Sequence, residues 1–149
     1  MTKYVLGFLF NPQLTEVALI EKESKPGMEW QAGLLNGIGG KMLDGETPEF
    51  AMAREFQEEA GLVTAGKDWK PVLFMEDGEN FEMNVFCMVG DITKVETAER
   101  EKVAAHQIGR IAYTKCVPNC EWMIPFCKDS LKRPNETPLF MHASYPCKS

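Results

Sequence analysis

Three glutamates lie close together in the sequence, at Glu55, Glu58 and Glu59. If this segment is helical, a rotation of about 100° per residue places all three within roughly a third of the circumference. Carboxylates three and four positions apart on a helix repel one another, so the cluster is destabilising unless cations compensate it. Magnesium prefers oxygen ligands and is often shared between a few carboxylates and substrate phosphates. The spacing therefore indicates a divalent metal site, although a solvated acidic helix face without a role has the same pattern.

The residues before and within this segment add to the interpretation. Adjacent glycines, Gly39 and Gly40, allow the backbone to approach a ligand closely. Arg54 can hold a neighbouring carboxylate through two parallel hydrogen bonds, and Glu46 lies in the same stretch. Each feature has an ordinary alternative, which is a turn for the glycines and a surface ion pair of little energetic value for the arginine. The spacing of the glycines, Glu46, Arg54 and the three glutamates, taken together, is what makes these ordinary alternatives less suitable.

This spacing resembles the signature of the Nudix hydrolase family, G-x5-E-x7-R-E-U-x-E-E-x-G-U, where U is a bulky apolar residue. Every fixed position is matched, and the only mild departure is an aromatic residue at the first U position. The matching residues are Gly40, Glu46, Arg54, Glu55, Phe56, Glu58, Glu59, Gly61 and Leu62. The order of elements along the chain is also similar to the family's α/β/α sandwich with a mixed β-sheet.

The resemblance implies a metal site built mainly from carboxylates. Glu58 and Glu59 would be the main ligands, with Glu55 beside them, and a backbone carbonyl of Gly39 or Gly40 would add to the metal shell. The implied cofactor is Mg²⁺, for which Mn²⁺ can substitute.

The resemblance also implies supporting roles and a reaction. Arg54 would orient Glu55, Glu46 would fix the preceding loop to the helix, and Gly61 would close the helix. The implied reaction is attack of activated water on one phosphorus of a nucleoside diphosphate linkage, which depends on positioning and charge neutralisation. By resemblance, a glutamate of a later loop acts as general base or as an extra metal ligand in many family members. We expect Glu99 in this role, followed by Glu101, while Glu96 or a solvated acidic loop without function remain alternatives.

The stretch WQAGLLNGIGGK, from Trp30 to Lys41, resembles the branch of the family that cleaves nucleoside triphosphates. By that resemblance Asn36 contacts the base, since an amide offers both a donor and an acceptor, although an Asn-Gly turn is the ordinary alternative. Lys41 is a further candidate for substrate binding. Asn119 and Trp122 are also candidates, although core packing is the more frequent fate of a lone tryptophan.

Positions 119 and 120 make the preferred base uncertain. In enzymes of this branch that remove oxidised purines we expect two adjacent acids here, and this chain has Asn119 and Cys120. The principal expectation is conversion of a (d)NTP to (d)NMP and pyrophosphate. Hydrolysis of ADP-ribose or a dinucleoside polyphosphate is the enzymatic alternative, and a non-catalytic nucleotide-sensing domain is the alternative from another class.

Composition narrows the possible partners. The 149 residues carry a net charge of −6, which argues against polymeric nucleic acid as a partner. No apolar run approaches the ~20 residues that span a bilayer, and the start does not resemble a secretion signal. The five cysteines form no C-x-x-C pair and are expected to be reduced thiols. We expect one cytoplasmic domain over residues 1–149, as a monomer or homodimer.

The elements that must position these residues follow from periodicity and capping signals. A helix is predicted over residues 47–61, with Thr47 as N-cap, Pro48 at the first helical position and Gly61 as terminator. A second helix is predicted over 119–132, with Pro125 in its first turns. Strands are predicted over 4–10, 16–22, 71–75, 81–89, 107–114 and 139–145, with a loop over 23–30 and a glycine-rich segment over 34–42.

Overall fold

The computed structural model describes residues 1–133 and 139–146. Within these residues, eight strands form one mixed sheet and two α-helices pack against it. The elements in chain order are β1 (Thr2–Phe10), β2 (Glu16–Glu21), β3 (Leu35–Asn36), β4 (Ile38–Lys41), α1 (Pro48–Ala60), β5 (Lys70–Glu76), β6 (Phe81–Val89), β7 (Val103–Gln107), α2 (Cys120–Lys132) and β8 (Met141–Ser144).

Strand β1 lies at the centre of the sheet. It runs parallel to β6 along its whole length, and it pairs antiparallel with β4 on its other side, where Val5 lies opposite Gly40. Beyond Gly7 it meets β2, which continues the sheet to β3 and β7. On the far side of β6, β5 pairs antiparallel with it and β8 adds a parallel edge. Strand β1 therefore brings β2, β4 and β6, which are far apart in the sequence, into one sheet.

Side chains of β1 alternate between two separate cores, as expected for a strand buried on both faces. Val5 and Leu9 pack in the cluster that includes α1, whereas Leu6, Phe8 and Phe10 pack in the cluster that includes α2. The two helices therefore lie on opposite faces of the sheet. This arrangement confirms the predicted α/β/α sandwich with a mixed sheet.

Helix α1 is held to its face of the sheet by a tight contact with β1. A Cβ added at Gly7 would lie 2.6 Å from Met52 Cε and 2.9 Å from the Trp69 ring, so any larger residue would have to displace these side chains. Phe56 continues the contact, with its ring 5.1 Å from that of Trp69. Helical spacing alone favours Ala53, Phe56 and Ala60 as one apolar stripe of α1. The buried face instead contains Ala51, Met52, Phe56 and Ala60, and Ala53 is only partly buried.

The predicted strand over residues 107–114 is wrong. The strand in this region is β7, which pairs with β2 from Ile20 opposite Val103 to Glu16 opposite Gln107. Ile108 still donates to the carbonyl of Thr15, but Thr15 lies just before the first residue of β2. Beyond this point 3-10 turns follow at Ile108–Arg110 and Tyr113–Lys115. Pairing therefore ends because β2 offers no further residues.

The other predicted elements agree with the structure to within one or two residues at most ends. The glycine-rich segment 34–42 divides into the short strands β3 and β4, and the expected loop over 23–30 contains the start of a 3-10 turn at Glu29–Gln31. Pro125 lies inside α2, as its sequence position required. Neither α-helix in the described ranges has the length and apolar character needed to cross a bilayer.

Candidate metal and nucleotide site

Helix α1 begins and ends at the capping residues that the sequence indicates. Thr47 lies in extended conformation and its Oγ1 accepts a hydrogen bond from the Phe50 amide at 3.3 Å, while Pro48 opens the helix. Gly61 adopts a left-handed conformation with φ of 71° and donates to the Gln57 carbonyl, which ends the helix. These caps fix which residues share each face of α1.

Arg54 lies at the centre of the polar face of α1. Its Nε and Nη2 donate to the two oxygens of Glu46 at 2.5 and 3.0 Å. Its Nη1 donates to Glu55 at 2.8 Å and to Glu58 at 3.1 Å, and Nη2 also reaches the Lys41 carbonyl at 3.1 Å. One guanidinium therefore joins the loop before the helix, the end of β4 and two of the three clustered carboxylates.

The ionisation of the Glu46–Arg54 pair follows from these contacts. The hydrogen bond from Arg54 lowers the pKa of Glu46, and the Leu43 amide adds to this by donating to Glu46 at 2.8 Å. The same contact with Glu46 raises the pKa of Arg54. Both groups are therefore charged at neutral pH, which suits the predicted role of Glu46 in fixing the loop to the helix.

Glu59 differs from its neighbours because it lacks a cation contact of this kind. Burial raises the pKa of Glu59 to about 7, and the nearby charge of Lys22 offsets only part of that rise. Its Oε2 atom is buried and has no hydrogen-bond partner. A buried carboxylate oxygen without a partner is costly in free energy, and a metal ion is one of the few groups that compensate it.

Burial is also the main cause of the raised pKa of Glu55, which the Arg54 hydrogen bond opposes and the Glu58 and Glu99 charges reinforce. Glu58, by contrast, is exposed on the same face. The three glutamates thus lie together, as their spacing predicted, in surroundings that favour addition of a cation.

The two glycines before the helix bring backbone against this cluster. A Cβ at Gly40 would lie 2.7 Å from the carboxyl carbon of Glu55, and a Cβ at Gly39 would overlap the backbone of Val5 in β1. The β4 backbone thus approaches both the central strand and the carboxylates at a distance that side chains would prevent. This placement suits the expectation that Gly39 or Gly40 contributes a carbonyl, which stays a prediction.

The three acidic residues of the later loop have different surroundings. Glu101 is buried, and it accepts hydrogen bonds from Lys22 Nζ at 3.0 Å, Lys25 Nζ at 3.3 Å and the Glu23 amide at 2.8 Å. Burial alone would raise the pKa of Glu101, but these hydrogen bonds outweigh it and lower that pKa. Glu101 is therefore engaged in holding two loops together.

Glu99 is exposed, and its charge raises the pKa values of both Glu55 and Glu59. The loop that carries it is held to the end of α1, because the Ala98 amide donates to the Glu59 carbonyl at 3.2 Å. Glu96 is exposed as well, with its carboxylate against Gly61. Of the three residues, Glu99 combines proximity to the cluster with a carboxylate that no hydrogen bond engages in the described ranges.

The carboxylates are not already arranged around a common point. In the part of the chain that the structure describes, no three His, Cys, Asp or Glu side chains converge closely enough to hold a metal. Arg54 Nη1 binds Glu55 and Glu58, whereas Glu59 has no such contact with the guanidinium. The donor set nevertheless fits a hard cation, because all candidate ligands are oxygens and one buried oxygen has no partner.

A cavity of about 700 Å³ lies on the α2 side of the sheet. Asn36 of β3 and Asn119 at the start of α2 contribute amides to its lining, and most of the remaining lining is apolar. The polar exceptions are Asp77 and Asn80, in the turn between β5 and β6. Its size and apolar character are those of a pocket for a small organic ligand.

Strand β4 connects this cavity to the carboxylates. Asn36 lies just before β4, and Gly40 lies within it against Glu55. Four residues of extended chain cover at most about 14 Å. The backbone of Asn36 and that of Gly40 therefore lie within about 14 Å of each other.

Two of the substrate-binding candidates do not line the cavity. The Lys41 side chain is exposed and lies in a separate depression with residues 1–3 and 42–46. Trp122 lies behind Asn119 and donates from Nε1 to Asn119 Oδ1 at 3.0 Å. Trp122 is absent from the cavity lining and contacts Asn119, which does line it. The assignment of either residue to substrate binding stays a prediction.

Cys116, Cys120 and Cys127 lie near His142 in sequence, but among the described residues these cysteines and His142 do not form a metal site. Cys116, Cys120 and Cys127 are buried in the core beneath α2, whereas the exposed His142 ring on β8 contacts Glu76 and Phe74. Burial raises the pKa of the Cys120 thiol to about 12. The four described cysteines are free thiols, as expected, and Cys147 lies outside the described residues.

Comparison with known proteins identifies the family. The Nudix domain family model matches residues 2–110 of the 149, and the chain therefore belongs to the Nudix family. No curated protein matches the chain at the significance required.

Similar solved structures support the same fold. A MutT protein from Aliivibrio salmonicida or Vibrio cholerae is 18% identical with a TM-score of 0.65, over 89% of this chain and 98% of that one. A Nudix hydrolase from Nitrosomonas europaea is 14% identical with a TM-score of 0.72, over 98% and 79%. An ADP-ribose pyrophosphatase from Streptococcus suis is 11% identical with a TM-score of 0.67, over 95% and 98%.

Sequence reasoning missed two contacts that shape the candidate site. The first joins Glu101 to Lys22 across a long stretch of chain, and no local pattern reveals it. The second is a hydrogen bond from Cys120 Sγ to Asn36 Oδ1 at 3.5 Å. The sequence showed Cys120 only as a departure from two expected acids, and gave no indication that it lies against Asn36.

Proposed function

We propose that this protein hydrolyses a phosphoric anhydride linkage of a nucleotide with Mg²⁺, converting a (d)NTP and water to (d)NMP and pyrophosphate. The observation that carries the proposal is the unpaired, buried Oε2 of Glu59 beside Glu55 and Glu58. The cavity reached along β4 supplies a place for the base. Residues 1–149 act as one domain in this proposal.

The protein's own residues have distinct roles in this reaction. Glu55, Glu58 and Glu59 hold the metal together with a β4 carbonyl, and Mn²⁺ can replace Mg²⁺. When bound, the metal supplies charge neutralisation at the phosphates and polarises the attacking water. Arg54 holds Glu55 in position through its Nη1 contact, while Glu46 anchors Arg54 from the other side.

The bond changes and the proton balance are simple. Water forms a new bond to one of the two phosphorus atoms joined by the α–β bridging oxygen of the triphosphate, and that oxygen leaves on the other phosphorus, which gives (d)NMP and pyrophosphate. Glu99 accepts the proton from the water, because it lies near the cluster and its carboxylate is exposed. Glu101 is less suited to this role, since two lysines and a backbone amide already bind it.

A panel of nucleotides incubated with Mg²⁺, with products separated by chromatography, tests the proposal. Nucleoside monophosphate and pyrophosphate are the expected products from a triphosphate. Monophosphate and ribose phosphate from ADP-ribose alone would favour the second enzymatic candidate, which the similarity to an ADP-ribose pyrophosphatase structure keeps in view. The same panel includes dinucleoside polyphosphates, and their cleavage would be detected by the same chromatography. If nucleotides bind but none of them is hydrolysed, the protein is a nucleotide-sensing domain.

A further inference from the structure

The two asparagines that line the cavity both have an amide oxygen that is hydrogen-bonded to the protein. Asn36 Oδ1 accepts from the Gly37 amide at 2.8 Å and from Cys120 Sγ at 3.5 Å. Asn119 Oδ1 accepts from Trp122 Nε1 at 3.0 Å. Each amide oxygen is therefore engaged by the protein itself.

The orientation of both amides is fixed by the chemistry of their partners. A backbone N–H and an indole N–H are donors only, so a rotated amide would place an NH₂ group against another N–H. Neither Nδ2 donates a hydrogen bond within residues 1–133 and 139–146, and neither is a buried atom without a partner. Both Nδ2 groups are thus open to a ligand in the cavity.

The local backbone supports this arrangement at Asn119. This residue has a φ of 82°, in the left-handed region that asparagine tolerates better than most residues. As N-cap of α2 its side chain makes no capping hydrogen bond, and it turns instead to Trp122 one helical turn on. The polar acceptors of the cavity, Asp77 and Asn80, belong to the turn between β5 and β6.

On the basis of the proposed function, we propose that the wall formed by Asn36 and Asn119 selects a nucleobase edge that carries hydrogen-bond acceptors and no donors. Cys120 and Trp122 act as positioning residues, since they hold the two amides with NH₂ toward the base. Among purines this pattern fits guanine, whose N7 and O6 are both acceptors, whereas adenine has a donor amino group beside N7. In 8-oxoguanine N7 carries hydrogen, so its edge presents a donor to this wall. The substrate class is therefore an unoxidised guanine nucleotide.

Competition between nucleotides measures the preference directly. We expect kcat/KM for GTP to exceed that for 7-deaza-GTP, 8-oxo-GTP and ATP by roughly five- to tenfold, the value of one or two good hydrogen bonds. 7-Deaza-GTP is the most informative comparison because it loses only the N7 acceptor. Equal values for GTP and 7-deaza-GTP, or higher values for 8-oxo-GTP or ATP, would overturn the proposal.

The Asn119→Asp variant inverts the polarity of one group with almost no change in shape. Trp122 Nε1 can still donate to one carboxylate oxygen, and the other replaces the NH₂ donor with an acceptor. We expect the preference to shift by at least tenfold from GTP toward 8-oxo-GTP and ATP, mainly in KM and not in kcat. An unchanged ratio in a folded variant would contradict the proposal.

Trp122→Phe tests the positioning role. This change retains an aromatic ring but frees the Asn119 amide to rotate, so the ratio of GTP to 7-deaza-GTP should fall to within about twofold, again in KM. Trp69→Phe is the matched control, because it also loses an indole hydrogen bond, to Thr64 Oγ1 at 2.8 Å, but packs on the α1 side of the sheet. Its ratio should equal that of the wild type. If the ratio of GTP to 7-deaza-GTP fell equally in both variants, Trp122 would affect the preference only by stabilising the fold.

Binding measurements separate failure of this proposal from failure of the proposed function. Dissociation constants for dGMP, 7-deaza-dGMP and dAMP, measured by calorimetry without metal, depend on the cavity and not on turnover. Preferential binding of dGMP without hydrolysis of any nucleotide would retain the base preference and refute the hydrolase. Hydrolysis with equal affinity for all three monophosphates would retain the hydrolase and refute the base preference.

Discussion

Arg54 binds both carboxylate oxygens of Glu46, at 2.5 and 3.0 Å, across the loop that precedes α1. This fork joins the loop to the helix, and the free end of the same guanidinium orients Glu55 and Glu58. A planar group with several fixed donors is needed for these simultaneous contacts, and lysine offers no equivalent.

Arg54→Lys should therefore lower kcat by at least tenfold and reduce the free energy of unfolding by about 1–3 kcal/mol, because the paired contact with partly buried Glu46 is lost. Urea unfolding and nucleotide hydrolysis measure the two effects. Arg133→Lys is the control, since the Arg133 contact with Asp129 is an exposed pair that contributes little. Wild-type turnover in Arg54→Lys would mean that Glu55 needs no positioning.

Glu59→Gln should lower turnover by orders of magnitude while the fold survives. Without metal its stability should equal or exceed that of the wild type, since the change removes a charge whose Oε2 has no partner. Adding Mg²⁺ should raise the Tm of the wild type, because ligands that bind only the folded state stabilise it, and this rise should be smaller in the variant. Glu49→Gln, on the first turn of the same helix, should retain the rise. Wild-type activity in both Glu58→Gln and Glu59→Gln would show the metal assignment to be wrong.

Gly40→Ala tests the close approach of β4 to the carboxylates. The added Cβ would lie 2.7 Å from the carboxyl carbon of Glu55, so either the strand or the carboxylate must move. We expect kcat to fall by more than tenfold, since small displacements of catalytic groups are costly in rate. Gly109→Ala, where an added Cβ meets nothing within 4 Å, should behave as the wild type. The crystal structure of the Gly40→Ala variant should show Glu55 displaced.

Glu99 and Glu101 should respond differently to the same substitution. Glu99→Gln should lower kcat and leave the free energy of unfolding within about 0.5 kcal/mol of the wild type, as is usual for exposed sites. Glu101→Gln should instead cost about 1–3 kcal/mol, because it weakens buried contacts with Lys22 and the Glu23 amide. Loss of stability in both variants, with turnover unchanged, would exclude Glu99 as the base.

The pH dependence of stability distinguishes Glu101 as well. Its pKa is lower in the folded protein than the ordinary value of 4.5, so its contribution is fully present above that pH. The contribution is lost as the pH falls below 4.5 through the lowered folded value. The stability difference between wild type and Glu101→Gln should therefore shrink over this acidic range.

Local signals in the sequence predicted most of the scaffold. Thr47, Pro48 and Gly61 determine the limits of α1 through contacts within one turn, so their roles could be predicted without tertiary information. The strand near residue 107 could not be placed in this way, because its limits depend on β2, a partner distant in sequence. The local pattern of hydrophobic residues does not predict which segment pairs with this strand or where that pairing ends.

In the candidate site, too, some features follow from local sequence signals and others depend on tertiary contacts. Three glutamates on one helix face follow from helical periodicity, and the structure places them together. The burial of Glu59, the engagement of Glu101 by Lys22 and the contact of Cys120 with Asn36 depend on segments that approach only after folding. Residue type and spacing therefore indicated the chemistry, whereas the differences between similar residues required the three-dimensional arrangement.

The alternation of side chains along β1 separates the carboxylate helix from α2 by the thickness of the sheet. Substitutions around Asn119 and Trp122 can thus reshape the cavity without repacking Met52 or Phe56, on which α1 rests. Under the proposed function, base specificity can therefore change while the carboxylates of α1 keep their positions.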